Sequence, residues 1–239
     1  MLTLDFIRDV HIYQSKTGYR FSVDALLLYS FVNLQRVKKI ADFGAGSGII
    51  GLLLAKKYPD SEVTLIELQK SLVRLAKKNA ALNELESRVN VINCDIKELT
   101  PESSQVTNNC FDLVISNPPF RRTRTGLISN VDERAIARHE IKLSLQDLFN
   151  AGSLLLKHHG RFCLIHLPER LAEIIRVMKG HALEPKRLRF VHSSVSTEAK
   201  MVLIEAVKGA RSGMKIESPL VLYNEDGSYT KELEELYRV

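Results

Sequence analysis

Apolar and polar positions alternate in short blocks along the chain, and the blocks predict strand and helix in turn. Residues 38–43 (Lys-Lys-Ile-Ala-Asp-Phe) read as a strand running into a glycine cluster. Residues 49–57 follow as a helix, stopped by Pro59. Residues 62–67 form a second strand, and over 70–82 the residues Leu72, Val73, Ala76 and Ala80 fall near helical spacing with Arg74, Lys77 and Lys78 outside. Strands at 89–93 and 111–115 come next, the second bounded by Asn-Pro-Pro. A helix over about 144–157 leads to a strand at 161–166. Pro168 opens a helix to about 179, and residues 187–192 and 200–207 read as two last strands.

Such alternation implies a parallel sheet covered on both faces. The last two strands are joined only by the polar loop 193–199, which is long enough for a hairpin and too short for a crossover. The expected fold is therefore α/β and doubly wound, with seven mostly parallel strands and one antiparallel strand near the end. This core spans 37–209. A cap segment, 1–36, precedes it and contains a helix-like run, Asp24–Val32, with Ser22 as N-cap. The tail, 210–239, carries a turn at Glu225-Asp226-Gly227 and a charged helix at 230–238. No internal repeat and no low-complexity segment interrupts the pattern.

The glycine cluster Asp42-Phe-Gly44-Ala-Gly46-Ser-Gly48-Ile-Ile-Gly51 lies between a strand and a helix, where glycines allow a tight turn and close approach of a ligand. Glu67 ends the next strand, where an acid can accept both hydroxyls of a ribose. Gly46-Ser-Gly48-Ile-Ile-Gly51 fits the dinucleotide pattern GxGxxG, whereas Asp42 before Gly44-x-Gly46-x-Gly48 fits the form that binds S-adenosylmethionine (SAM). An acid two residues before the first glycine suits a cationic amino group and not a pyrophosphate. The chain also lacks Tyr-x-x-x-Lys and has no length for a second catalytic domain.

Ser116-Asn117-Pro118-Pro119-Phe120 ends the fourth strand. In an open parallel sheet ligands bind beyond the carboxyl ends of the strands, so Asn117 and Gly46 are expected to face one crevice. An exocyclic amine is a poor nucleophile because its lone pair is delocalised into the ring. Two acceptors aimed at its two hydrogens draw the nitrogen toward tetrahedral geometry. The Asn117 side chain and the Pro118 main-chain carbonyl supply them, the prolines stiffen the turn, and Phe120 offers a face for an extruded base. The alternative is a plain proline turn closing a strand.

Composition adds a partner. Of 239 residues, 34 are Lys or Arg and 28 Asp or Glu, a net +6 that suits a polyanion. Arg121, Arg122 and Arg124 follow the Asn-Pro-Pro-Phe motif directly, with Arg134 and Arg138 soon after. They would meet phosphates beside an extruded base, or form a solvated loop. His139 is read as a base contact or a helix-surface polar residue. Cys94, Cys110 and Cys163 are odd in number and unclustered, so no disulfide framework or cysteine zinc site is expected, and each is read as a small buried hydrophobe. The histidines show no metal-ligand spacing. No signal peptide or membrane-length apolar run is visible, which leads to an expectation of a cytoplasmic protein without metal or membrane. The pattern sets no oligomeric state.

Seven strands with one reversed near the end resemble the fold of the class I SAM-dependent methyltransferases, and the two motifs resemble those members that modify amino groups of adenine, guanine or glutamine. Three further stretches are similar to the bacterial tRNA1(Val) adenine-37 N6-methyltransferase family. They are Gln14–Leu28, Ala135–Glu140, and Pro168–Leu171 with Glu184–Arg187 and Ala199–Glu205. The resemblance covers about residues 10–235. It implies a SAM-dependent enzyme that methylates N6 of adenine 37 in tRNA. It also implies that Asp42, Gly44, Ala45, Gly46, Gly48, Glu67, Leu68, Asp95, Ile96 and Asn117 bind SAM. There Asp95 would accept the adenine amino group, although a helix-capping Asp is equally ordinary at that place. Arg20 and Phe21 would join through the cap, and Arg121, Arg122, Arg124 and Arg138 would bind RNA. Other acceptors stay open: a guanine N2 of ribosomal RNA, a DNA adenine, a protein glutamine amide, or no turnover in a SAM- and RNA-binding module.

Overall fold

The computed structural model describes residues 2–15, 23–100, 106–118 and 143–238. The chain opens with a hairpin, β1 (Leu2–Ile7) and β2 (Val10–Ser15), followed by α1 (Val23–Phe31). The alternating core then runs β3 (Lys39–Phe43), α2 (Ile49–Lys57), β4 (Glu62–Glu67), α3 (Lys70–Leu82), β5 (Val89–Asn93) and, after a 3-10 turn at Ile96–Glu98, β6 (Phe111–Ser116). Its second half comprises α4 (Leu145–Leu155), β7 (Leu156–His166), α5 (Leu171–Gly180), β8 (Leu183–His192) and β9 (Ala199–Lys208). The tail adds β10 (Lys215–Ile216), β11 (Leu220–Val221) and α6 (Lys231–Tyr237).

The main sheet has the order β10-β8-β9-β7-β6-β3-β4-β5, with β11 also on β8. Strands β5, β4, β3, β6 and β7 pair in parallel, and β9 runs antiparallel to both β7 and β8. This is the expected doubly wound arrangement with its reversed strand near the end. Among the described residues the sheet holds nine strands where seven were expected, because β10 and β11 lie in parallel along β8. At two residues each they are too short to show a period. One apolar layer joins α1, α2, α3 and β2 to the sheet and takes in Leu233 and Leu236 of α6. The other packs α4 and α5 on the opposite face. Gly152 lets α4 approach closely: a Cβ there would stand 2.3 Å from the Phe162 ring. The start of α4 is fixed by a capping box, with the Ser144 hydroxyl accepting from the Asp147 amide and Asp147 accepting from Ser144.

The hairpin was not expected. Its free edge on β2 is completed by side chains of α3. The Asn79 amide accepts from the Tyr13 N–H at 2.8 Å and donates to the Tyr13 carbonyl at 3.1 Å. One turn on, Asn83 does the same for His11, at 2.9 and 2.7 Å. Two amides thus stand in for a neighbouring strand, satisfying backbone groups that would otherwise be stranded against the helix.

Candidate active site

All the parallel strands end on one rim, and the loops there gather the residues singled out in the sequence. The glycine loop after β3 has left-handed backbone at Gly44, Gly46 and Gly48, with φ of 69°, 59° and 90°, a conformation costly for residues with a Cβ. The loop folds over the end of β4, where Gly44 and Ala45 donate to the Ile66 carbonyl at 2.9 and 3.2 Å. Gly48 then starts α2 by accepting from Leu52 at 2.9 Å. Gly51 serves packing instead of a turn, since a Cβ there would lie 2.2 Å from Leu65 Cδ2.

Glu67 braces this loop. It is 6% exposed, and its two oxygens accept from the Gly46 N–H at 2.9 Å and the Gln69 N–H at 2.8 Å. Each oxygen keeps a second lone pair for a ligand hydroxyl. Asn93, at the end of β5, donates to the carbonyls of Glu67 and Leu68 at 3.0 and 2.8 Å, fixing the strand ends to each other. Asp42 lies beneath the loop, 1% exposed, with Oδ2 accepting from Gly51 at 3.0 Å. Burial pushes its carboxyl up to about 7; the Gly51 N–H works against the shift and the Glu67 charge adds to it.

The loop has the features of a cradle for an amino-acid-bearing nucleoside. Among the described residues the Ser47 hydroxyl is buried without a partner, and none but the chain neighbours of Gly44 comes within 4 Å of where a Cβ on Gly44 would be. Asp42 is poised to become charged beside a cation. Ser47 is tied into the frame through its carbonyl, which accepts from Asn79 Nδ2 at 2.9 Å. One side chain of α3 therefore holds both the hairpin and the glycine loop.

Strand β6 delivers Asn117 and Pro118, both half-buried, to the same rim. Its last residue is locked to β3, with the Ser116 hydroxyl donating to the Phe43 carbonyl at 3.0 Å next to Gly44. His166 ends the neighbouring β7 and is almost fully buried. Burial and then Arg170 push its imidazole down to about 4. Its Nδ1 accepts from the Leu167 N–H at 2.7 Å, so the neutral ring carries its proton on Nε2. Asp95 Oδ1 accepts from Lys97 at 3.1 Å and caps the short 3-10 turn, the capping role weighed from sequence. Leu68 is 37% exposed at the rim and Ile96 is buried. Arg20, Phe21, Pro119, Phe120, Arg121, Arg122, Arg124, Arg134, Arg138 and His139 lie outside the described residues, as does Ser22.

Sequence reasoning missed Asn79, Asn93, Ser116 and His166. The available signal was polar side chains at positions whose neighbours are apolar, with Asn79 and Asn83 one helical turn apart. Cys94 and Cys163 are buried as expected, whereas Cys110 is half-buried, near the surface at the start of β6. Among the described residues no group of His, Cys, Asp or Glu is arranged to hold a metal ion. No helix among them is long and apolar enough to cross a membrane.

A doubly wound sheet of this order, with a glycine loop, a braced strand-end acid and an Asn-Pro run on one rim, defines a class I SAM-dependent methyltransferase. Solved structures agree on the fold. A predicted O-methyltransferase from Agrobacterium tumefaciens matches with a TM-score of 0.72 at 24% identity, over 90% of this chain and 95% of that one. Geranyl diphosphate C-methyltransferase from Streptomyces coelicolor, solved with S-adenosyl-L-homocysteine, matches with a TM-score of 0.56 at 15% identity, over 78% of this chain and 80% of that one. Residues 20–166 match the methyltransferase small domain family. A tRNA1(Val) (adenine(37)-N6)-methyltransferase from Porphyromonas gingivalis is 32% identical over 80% of this chain and 76% of its own length. One of the same name from Aeromonas hydrophila is 29% identical over 93% and 90%. The chain belongs to the methyltransferase small domain family and, within that broad group, to the family of the tRNA1(Val) (adenine(37)-N6)-methyltransferases.

Proposed function

We propose that this chain methylates the exocyclic N6 of an adenine in RNA, at adenine 37 of a tRNA, in the cytoplasm. The observation that carries the reading is the lock between Ser116 and Phe43 at 3.0 Å, which fixes Asn117 and Pro118 beside the glycine loop. When bound, SAM supplies an electrophilic methyl group on a sulfonium, whose leaving group is a neutral thioether. The protein's part is to bind, aim and polarise. The Gly44–Gly48 loop with Ala45 and Asp42 receives the amino-acid end, and Glu67 receives the ribose hydroxyls. Leu68, Asp95 and Ile96 flank the adenine ring, while Arg20 and Phe21 belong to the cap over it.

Asn117 also bounds the cofactor pocket. Its side-chain oxygen and the Pro118 carbonyl accept the two hydrogens of the target amine, and this raises the electron density on nitrogen where the new bond forms. Pro119 stiffens the turn and Phe120 stacks on the base. Arg121, Arg122, Arg124 and Arg138 hold the flanking phosphates. No titrating group has to take a proton before transfer, because the amine would attack while neutral and, once methylated and cationic, would give its extra proton to solvent water.

Substituting Asn117→Ala tests the polarising role. Methyl transfer is expected to fall by about 10²-fold or more, by analogy with removing one aimed polar group, while SAM affinity changes far less. Transfer at the wild-type rate would contradict the assignment.

A further inference from the structure

A cavity of about 360 Å³ opens on the rim opposite the cofactor loop, between the connection from α1 to β3 and the start of β7. The five residues of β3 put it about 17 Å from the glycine loop, at ~3.3 Å per residue. It therefore belongs to neither the SAM crevice nor the Asn-Pro turn.

The wall is built from irregular backbone. Phe111 of β6 pairs with Leu156 and Leu113 with Arg161, so β7 bulges between these two contacts. At the crest His159 adopts φ of 63°, an uncommon conformation for a residue with a side chain. Gly160 behind it is buried, and a Cβ there would lie 2.9 Å from the Lys157 carbonyl and 3.0 Å from that of Phe111. The His158 ring fills the space beside Gly209, with Nε2 2.5 Å from where a Cβ would stand, and the two imidazoles meet edge-on at 4.1 Å. A bulge held this way fixes two exposed rings at the mouth of the cavity. Strained backbone kept by its surroundings is a frequent mark of a ligand clamp.

The lining is rich in donors. Arg36 is exposed and makes no ion pair among the described residues. Arg161 reaches buried Glu205, which it shares with Arg187, and Arg187 in turn pairs with Glu217. Asp112 is the one carboxylate of the lining, and its charge is paired with Lys157. It accepts from the Lys38 and Lys39 N–H groups at 2.9 Å each and from Lys157 Nζ at 2.8 Å. Burial pushes that carboxyl up, but the Lys157 bond and the two backbone donors outweigh it and hold the group below its ordinary range. Asn33 and Gln35 add side-chain amides to the lining. A ligand entering here meets one guanidinium without an ion pair, two imidazoles and two side-chain amides, and the single carboxylate of the lining is offset by Lys157.

We propose that this cavity is a phosphate-binding site, separate from the catalytic crevice, for a ligand of about mononucleotide size or for a backbone phosphate of bound RNA. The volume lies at the low end of small-ligand pockets, ~300–1,000 Å³. Arg36 forks two phosphate oxygens, and the imidazole and amide N–H groups take the remainder.

Pyrophosphate and adenosine 5′-monophosphate, titrated into the full chain by calorimetry, test the site. Saturable binding is expected for at least one of them. Arg36→Ala and His159→Gly, the second of which also relieves the backbone, are each expected to weaken it by about tenfold and to leave SAM affinity unchanged. Absence of saturable binding, or binding that neither variant weakens, overturns the proposal. A tRNA-binding assay on Arg36→Glu then separates the two sources of the phosphate. Weaker tRNA binding assigns it to RNA, and unchanged tRNA binding assigns it to a small phosphorylated ligand.

Discussion

Asp42 is a buried acid with no ion pair among the described residues, and its raised pKa gives the site a pH signature. In the folded protein it titrates near 7, against 3.8 for the ordinary side chain. The folded state thus binds a proton that the unfolded chain has released. The stability contributed by this group is present below about pH 4 and is lost as pH rises toward 7. A cationic ligand at the glycine loop favours the carboxylate. SAM binding near pH 6 is therefore expected to release a proton, and affinity should climb with pH until it levels off above about 7. Calorimetry in two buffers of different ionisation enthalpy measures that proton, and Asp42→Asn should abolish it. Equal heats in both buffers for the wild type would contradict the account.

A second residue-scale expectation concerns Gly51. A Cβ there collides with Leu65 at 2.2 Å, so Gly51→Ala should lower unfolding free energy by ~1–3 kcal/mol in a urea titration. The spacing of Asp42, the glycines and Glu67 was legible from sequence because each sits at a strand end. The brace between Glu67 and Gly46 was not legible, because sequence spacing does not reveal which backbone donor a carboxylate will meet.

At the scale of elements, the hairpin and α3 show where pattern reading fails. Leu2, Leu4 and Phe6 alternate with polar residues as a strand should, yet they are 42%, 54% and 53% exposed. The buried positions belong to β2, at Val10 and Ile12, and its free edge is met by two asparagines instead of a strand. The β8 boundary slipped for a different reason. The strand begins at Leu183 and passes through Pro185, which is tolerated at a register shift. In β7 the bulge hid the pairing of Leu156.

Asn79 and Asn83 make the matching prediction. Asn79→Leu and Asn83→Leu should each release the hairpin edge, at ~1–3 kcal/mol per stranded group, and speed hydrogen exchange at Tyr13 and His11 respectively. Only Asn79 also holds the Ser47 carbonyl, so only Asn79→Leu should raise the KM for SAM beyond what its lost stability explains. Equal KM values in the two variants would show that the bond to Ser47 does not position the loop.

Over the whole molecule, the seven core strands and the reversal near the end followed from the alternation of apolar blocks and the short last loop, since a parallel sheet buried on both faces leaves continuous apolar runs, whereas the order of the strands came only with the structure. The flanking segments were harder to place because they are stabilised from outside themselves. The tail helix α6 contributes Leu233 and Leu236 to the same apolar layer as β2 and α2. The N-terminal loop at Arg8 is held by the carbonyls of Glu235 and Leu236, at 2.9 and 3.2 Å. The two ends of the chain thus meet, a contact between residues more than two hundred positions apart that no local pattern encodes.

The central claim, methylation of an RNA adenine on N6, is tested most directly with methyl-labelled SAM, the purified protein and fractions from cells lacking its gene. Transfer RNA, ribosomal RNA and soluble protein would be incubated separately, then digested and the labelled product identified by mass spectrometry. The account predicts N6-methyladenosine from the tRNA fraction, lost in Asn117→Ala. Label confined to ribosomal RNA or to protein, or a labelled tRNA nucleoside other than N6-methyladenosine, would contradict it.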